Sequence, residues 1–334
     1  MRGSVLIVSL GAALACRPAA PATEPAPTIA SDPVTAPATE PEPEPEPEPP
    51  PAPPRADSYT RLLPPSIQIV IGADLAGLQR TKMWVENKDA VLQESAEVVE
   101  PLRQCNIGPE TWTTALAGIA ETPGSGADTT IVVVLSAPTL GTNETLACFA
   151  AQGAEGDDSD WKPAPDGFGY IGEDDVVLYP VNPDTVVVST PDIAPEVRTR
   201  LEQGGPTALE GPLLGPSVRT DMNQHLWAVG IPPEETELNA GIFLRDFSGS
   251  LDLSYGMRYF VALGVDDPTA AGTMRDFFAQ QMPGIAAMSG GFGVPSQAMD
   301  RVEFGVMGNA VTISGSVTAD ELDQIQDAVK AMGL

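Results

Sequence analysis

Three cysteines and a single histidine are the residues of this 334-residue chain best suited to covalent bonding, soft-metal binding or proton transfer near neutral pH. The cysteines stand far apart, at positions 16, 105 and 148, and with His225 they do not form the close ligand spacings that hold zinc. A serine or cysteine hydrolase of the usual kind needs a base, and His225 would have to serve as that base alone. No Gly-x-Ser-x-Gly elbow accompanies it. His225 therefore reads as a structural, half-buried histidine at the edge of the strand Leu226-Trp-Ala-Val.

Carboxylates are plentiful but undirected. Asp157-Asp-Ser-Asp160 and Glu173-Asp-Asp175 do not fit the spacing that wraps oxygens around calcium, and they read as solvated acidic loops. No Gly-x-x-x-x-Gly-Lys cradle is present, and Gly291-Phe-Gly293 neither follows a strand nor opens a helix. The expectation is no cofactor, no metal and no assigned catalytic residue. The alternative is a periplasmic hydrolase working through acidic residues, which 46 Asp and Glu permit but whose pair no spacing selects.

One apolar segment is unusual. Met282-Pro-Gly-Ile-Ala-Ala-Met-Ser-Gly-Gly-Phe-Gly-Val-Pro295 reads as a loop joining a helix to a hairpin, with methionine and phenylalanine set among glycines. Such a surface adapts to a partner, so Ile285, Met288 and Phe292 are the candidate partner-contact loop, the alternative being a loop that folds over its own core.

The N-terminus carries a different chemistry. After Met1-Arg-Gly-Ser comes the apolar run Val5 to Ala15, too short to span a bilayer and followed by Cys16. It reads as a signal peptide, residues 1–15. The junction Ala12-Ala-Leu-Ala-Cys16 resembles the bacterial lipobox. That resemblance implies that Cys16 is acylated and becomes the new N-terminus, so that a lipid bilayer is the first partner. Arg17 follows where an aspartate would favour inner-membrane retention, so the resemblance implies the outer membrane, with the domain in the periplasm or at the cell surface.

Behind the anchor, fifteen of the 35 prolines fall between Pro18 and Pro54, a density no packed core tolerates. Alternating Glu and Pro hold the backbone near polyproline II, so residues 16–57 read as a disordered, extended tether with a reach of roughly 120 Å. Lipobox and tether together resemble the proline-tethered lipoproteins of myxobacteria. The likeness covers the first sixth of the chain and implies no activity. With Cys16 acylated, two cysteines remain in an oxidising compartment, and a disulfide between Cys105 and Cys148 is expected.

Net charge is −29, from 17 basic and 46 acidic residues, and the few lysines are scattered. Nucleic acid is excluded as a partner, since phosphate binding needs basic patches. The acidity serves solubility and self-repulsion.

The elements that must position these residues begin near Ser58. Ile131 to Gln152 aligns with Tyr259 to Gln280 without a gap, and Val177 to Val197 aligns with Val302 to Leu322. Ile69-Val-Ile-Gly72 and Trp227-Ala-Val-Gly230 form an earlier pair in the same order. The fold expected is α+β, with two repeated βαββα-like halves, residues 58–205 and 206–334, antiparallel-dominated sheets and helices on one face. Leu75 to Ala120 reads as a helical insertion in the first half. Asp267-Pro268 and the capping box Thr318-Ala-Asp-Glu321 open helices, and Asn182-Pro-Asp184 and Gly308-Asn309 close hairpins. The function this leaves is a non-enzymatic binding or structural role for a membrane-anchored lipoprotein with an unknown envelope partner.

Overall fold

The computed structural model describes residues 55–94, 96–121, 129–153, 161–165, 167–172, 175–232, 234–239 and 241–331. The expected signal peptide, Cys16 and the expected tether up to Pro54 lie outside the described residues, as do Asp157, Asp158, Asp160, Glu173 and Asp174. The described chain opens on a 3-10 turn, Ala56–Leu62, whose Ala56 and Tyr59 are already buried, two residues ahead of the expected start at Ser58.

In chain order, β1 (Ile69–Asp74) is followed by the helices α1 (Leu75–Leu78), α2 (Lys82–Glu94) and α3 (Ala96–Gln104). Next come β2 (Thr114–Glu121), β3 (Thr129–Ser136), α4 (Asn143–Gly153), β4 (Lys162–Pro163), β5 (Tyr170–Ile171), β6 (Val177–Asn182), β7 (Thr185–Ser189), α5 (Ala194–Gln203) and α6 (Leu214–Ser217). The chain continues with β8 (Leu226–Gly230), β9 (Thr236–Asn239), β10 (Ile242–Leu244), β11 (Asp246–Asp252) and β12 (Met257–Gly264). It closes with α7 (Pro268–Ser289), α8 (Ser296–Asp300), β13 (Glu303–Met307), β14 (Ala310–Val317) and α9 (Ala319–Ala331). The class is α+β, as expected.

Twelve strands form one antiparallel sheet in the order β13-β14-β12-β11-β8-β1-β2-β3-β7-β6-β5-β4, while β9 and β10 pair apart from it. β1 and β8 pair at its centre, Ile71 opposite Ala228. The helical insertion is shorter than expected. Helix ends at Gln104, and Thr114–Glu121 is a central strand, because Thr114-Ala-Leu-Ala-Gly-Ile alternates buried and part-exposed side chains at the two-residue period of a strand.

Helices cover both faces of the sheet rather than one. Val132, Val134, Val187 and Tyr179 belong to a core with Tyr59, Leu62 and Val197, under the first turn and α5. Their strand neighbours Leu135, Val186, Val188 and Leu178 project the other way, into a second cluster with Leu146 and Phe149 of α4 and Leu102 of α3. The β-branched run Val132-Val-Val134 is apolar on every residue, with Val132 and Val134 in the first core and Val133 on the opposite, part-exposed face.

Local signals act where expected. The Asp267 carboxylate accepts the Thr269 and Ala270 N–H groups at 2.7 and 2.9 Å, with Pro268 in the first turn of α7. Thr318 and Glu321 close the reciprocal box at the start of α9. At the β6–β7 turn the Asp184 N–H donates to Asn182 Oδ1 at 2.9 Å, and Gly308 turns β13 into β14 at φ 62°, a left-handed value glycine adopts without strain. Cys105 and Cys148 are joined, pinning the end of α3 to α4 across 43 residues. Closing a loop of that length stabilises by about 3 to 4 kcal/mol on the chain-entropy model.

Candidate functional site, an apolar sheet face

In an antiparallel ladder, paired residues project to the same face, so the register turns single residues into rows. The central row runs Val261, Gly249, Ala228, Ile71, Ala117, Val133 across six adjacent strands. On one side lies the row Tyr259, Leu251, Leu226, Ala73, Ala115, Leu135. On the other lies Leu263, Phe247, Gly230, Ile69, Ile119, Ile131. These three rows hold no charged side chain, and the Tyr259 hydroxyl is their one polar side-chain group.

The opposite face of the same strands is sealed. Val70, Leu116, Val132, Trp227, Val229 and Ala262 are all at most 2 % exposed. Gly72 lets the Trp227 ring lie directly over the backbone of β1, where a Cβ would meet it. The apolar rows, by contrast, are mostly part-exposed, and Ile71 is 41 % exposed on a central strand of a twelve-stranded sheet. Its row neighbours on either side are alanines, too short to shelter it.

The face is bounded at both ends. The central row continues through Val188 to Leu178, which α4 covers, and through Ile313 to Phe304, on which Phe278 of α7 stacks at 6.1 Å. Between these helices the floor spans about 24 Å, from the ladder spacing of six strands, with a footprint on the order of 500 Å². Patches of that size on a monomer tend to be functional. The ladder bonds of each floor strand are taken by a neighbour on either side, so nothing landing here gains main-chain hydrogen bonds.

Beside one end of the floor, on the sealed side, sits a polar cluster. His225 Nδ1 accepts the Leu253 N–H at 3.1 Å and lies 3.2 Å from Asp252 Oδ1. That carboxylate also accepts the Ser254 N–H at 2.9 Å, the Ser254 hydroxyl at 2.7 Å and the Arg258 guanidinium. Burial pushes the Asp252 carboxyl up, but the bonds from Arg258 and Ser254 outweigh it and hold the group well below the usual carboxylate range. The arrangement ties the start of β8 to the β11–β12 turn. His225 is half-buried at a strand edge, as the sequence implied.

Of the predicted partner-contact residues, Ile285 and Met288 do not sit on a loop. They lie on the last turns of α7, a 22-residue helix that runs through Pro283 and Gly284 to Ser289. Burial of Ala271 and Met274 anchors the helix upstream, and Ala286 and Ala287 favour it beyond the proline, so losing one hydrogen bond does not end it. Ile285 is 42 % and Met288 66 % exposed. Phe292 follows in a 3-10 turn, Gly290–Phe292, and its side chain lies outside the described residues. The open sheet face was missed from sequence. Its signal is present in β1 and β3, which are apolar on both faces where an antiparallel strand with one solvated face would alternate.

No helix among the described residues is long and apolar enough to cross a membrane. No protein-family model matches the chain, and no curated protein sequence does. Among solved structures the chain is similar to TP0453. Crystal form III is 11 % identical, with 80 % of this chain and 97 % of that chain covered at a TM-score of 0.50. Crystal form IV is 9 % identical, with 82 % and 96 % covered at 0.47. At such identity the likeness to form III concerns the fold alone.

Proposed function

We propose that this chain is a non-enzymatic lipoprotein of the cell envelope, anchored in the outer membrane through acylated Cys16, whose domain binds the apolar surface of an envelope partner on its open sheet face. The observation that carries the binding reading is Ile71, exposed at the centre of three rows without a charge. Leaving such a surface in water is costly at roughly 25 cal/mol per Å², and a partner that covers it recovers that free energy. The absence of titratable side chains in the rows, Tyr259 aside, supports a binding role over proton-transfer chemistry. Burial raises even that phenol above its ordinary value.

The proposal extends to how the face is built. Reading outward from the central β1–β8 pair, β1-β2-β3-β7-β6 and β8-β11-β12-β14-β13 have the same order of neighbours, with α4 and α7 at equivalent points of the chain. That order supports one unit used twice, matching the paired segments of the sequence. Joined through their first strands, two such units make a wide floor with a helix at each end.

Nile red, a neutral dye that fluoresces in apolar surroundings, tests the binding surface on the exported chain carrying Cys16→Ser. The expected result is saturable fluorescence that Ile71→Asp and Ala117→Glu each reduce severalfold, with melting temperature nearly unchanged. Equal dye binding by these variants would rule out the sheet face as the site.

A further inference from the structure

The two outer edges of the large sheet are finished differently. β4 is two residues long, Lys162 and Pro163, and both a lysine and a proline discourage another strand from pairing. At the other edge β13 has five residues, Glu303–Met307, with neither lysine nor proline. Among the described residues it pairs with β14 alone, so one side of its backbone is open to a further strand. Val306 is 40 % and Met307 47 % exposed. Together with Ile285 and Met288 on α7, which packs on β13, they make four of the nine exposed large apolar side chains among the described residues.

Charge is thin along this edge. The 43 residues from Phe277 to Ala319 contain three charged ones, Asp300, Arg301 and Glu303, in a chain of net charge −29. Arg301 is engaged by the Glu321 carboxylate and the Ser316 carbonyl. Self-repulsion between copies is therefore low along this segment.

We infer that a second copy of this chain docks at β13, the two edge strands pairing antiparallel about a twofold axis through Gly305. Two identical strands paired this way form an isologous, self-closing contact. The axis at Gly305 sets Phe304 opposite Val306 of the partner subunit, an apolar pair on the face beneath α7, and Glu303 opposite Met307 of the partner subunit. Gly305 brings no side chain to the axis. A second copy fits this edge better than a basic strand, because there is little charge to attract one. The contact is small beside standard interfaces, so the dimer is reversible. Copies tethered in one membrane meet at raised effective concentration.

Cysteine pairs read this register directly. Glu303→Cys and Met307→Cys are made separately in the exported chain carrying Cys16→Ser, both at exposed positions. Each is oxidised mildly alone and in a mixture, then run on a non-reducing gel. The expected result is a linked dimer from the mixture, little from either variant alone, and loss of the linked dimer when both chains also carry Val306→Lys, with the melting temperature unchanged. No linked dimer from the mixture at high protein concentration would overturn the inference. So would equal linking of either variant alone, which means another register, or full linking in the presence of Val306→Lys.

Discussion

Asp252 illustrates how a single buried carboxylate becomes structural. It is 8 % exposed, and its cost of burial is offset by donors from Ser254 and Arg258 that favour the ionised form. With its folded pKa below an unfolded value of about 3.9, its contribution is fully present above that pH and is lost as pH falls toward the folded pKa. Urea midpoints measured from neutral pH to about pH 2.5 should therefore fall more steeply for the wild type than for Asp252→Asn. At neutral pH the Asn variant should be less stable by about 1.5 to 3 kcal/mol, the range for hydrogen bonds to a charged group. Parallel pH profiles for the two proteins would show that Asp252 does not titrate this way.

Helix α7 is two things in sequence. Its first half is core, with Ala271 and Met274 fully buried and Phe278 stacked on Phe304. Its last turns carry Ile285 and Met288 into solvent. Substitution should separate the halves by thermal or urea denaturation. Met274→Ala is expected to cost about 2 to 5 kcal/mol, the range for emptying a buried methionine site. The pair Ile285→Ser and Met288→Ser should stay within about 0.5 kcal/mol of wild type each, as surface positions do. A large loss from the serine variants would assign these residues to the core instead.

For the whole molecule, anchor and domain are expected to be independent. At the start of the described residues the Arg55 guanidinium donates to the Asn223 carbonyl at 3.1 Å, so the domain's first residue is already held in place. Cys16→Ser should move the protein from the membrane fraction to the soluble fraction after cell lysis, with the melting temperature unaltered. Retention of the variant in washed membranes would show that something other than the acyl anchor holds it there.

Much of this architecture was legible in order along the chain. Caps at Asp267 and Thr318, turns at Asn182 and Gly308, and the strand runs of β3, β7, β12 and β14 rest on contacts between residues near in sequence, which is why type and spacing sufficed. The pairing of Cys105 with Cys148 was legible too, because only two thiols remained once Cys16 was assigned to the anchor. β2 was not, since alanines and a glycine make Thr114 to Glu121 a weak strand by propensity. The turns after Pro283 read as loop because the cost of a proline is local, while the burial of Met274 that anchors the helix is not. The open face lay furthest from reach. A row such as Gly249, Ala228, Ile71, Ala117 joins residues from 71 to 249, and no local pattern states which strands will be neighbours. Composition and local pattern determined the elements and their order. Only the tertiary pairing decided that their apolar sides would align into one surface, with α4 and α7 packed over its two ends.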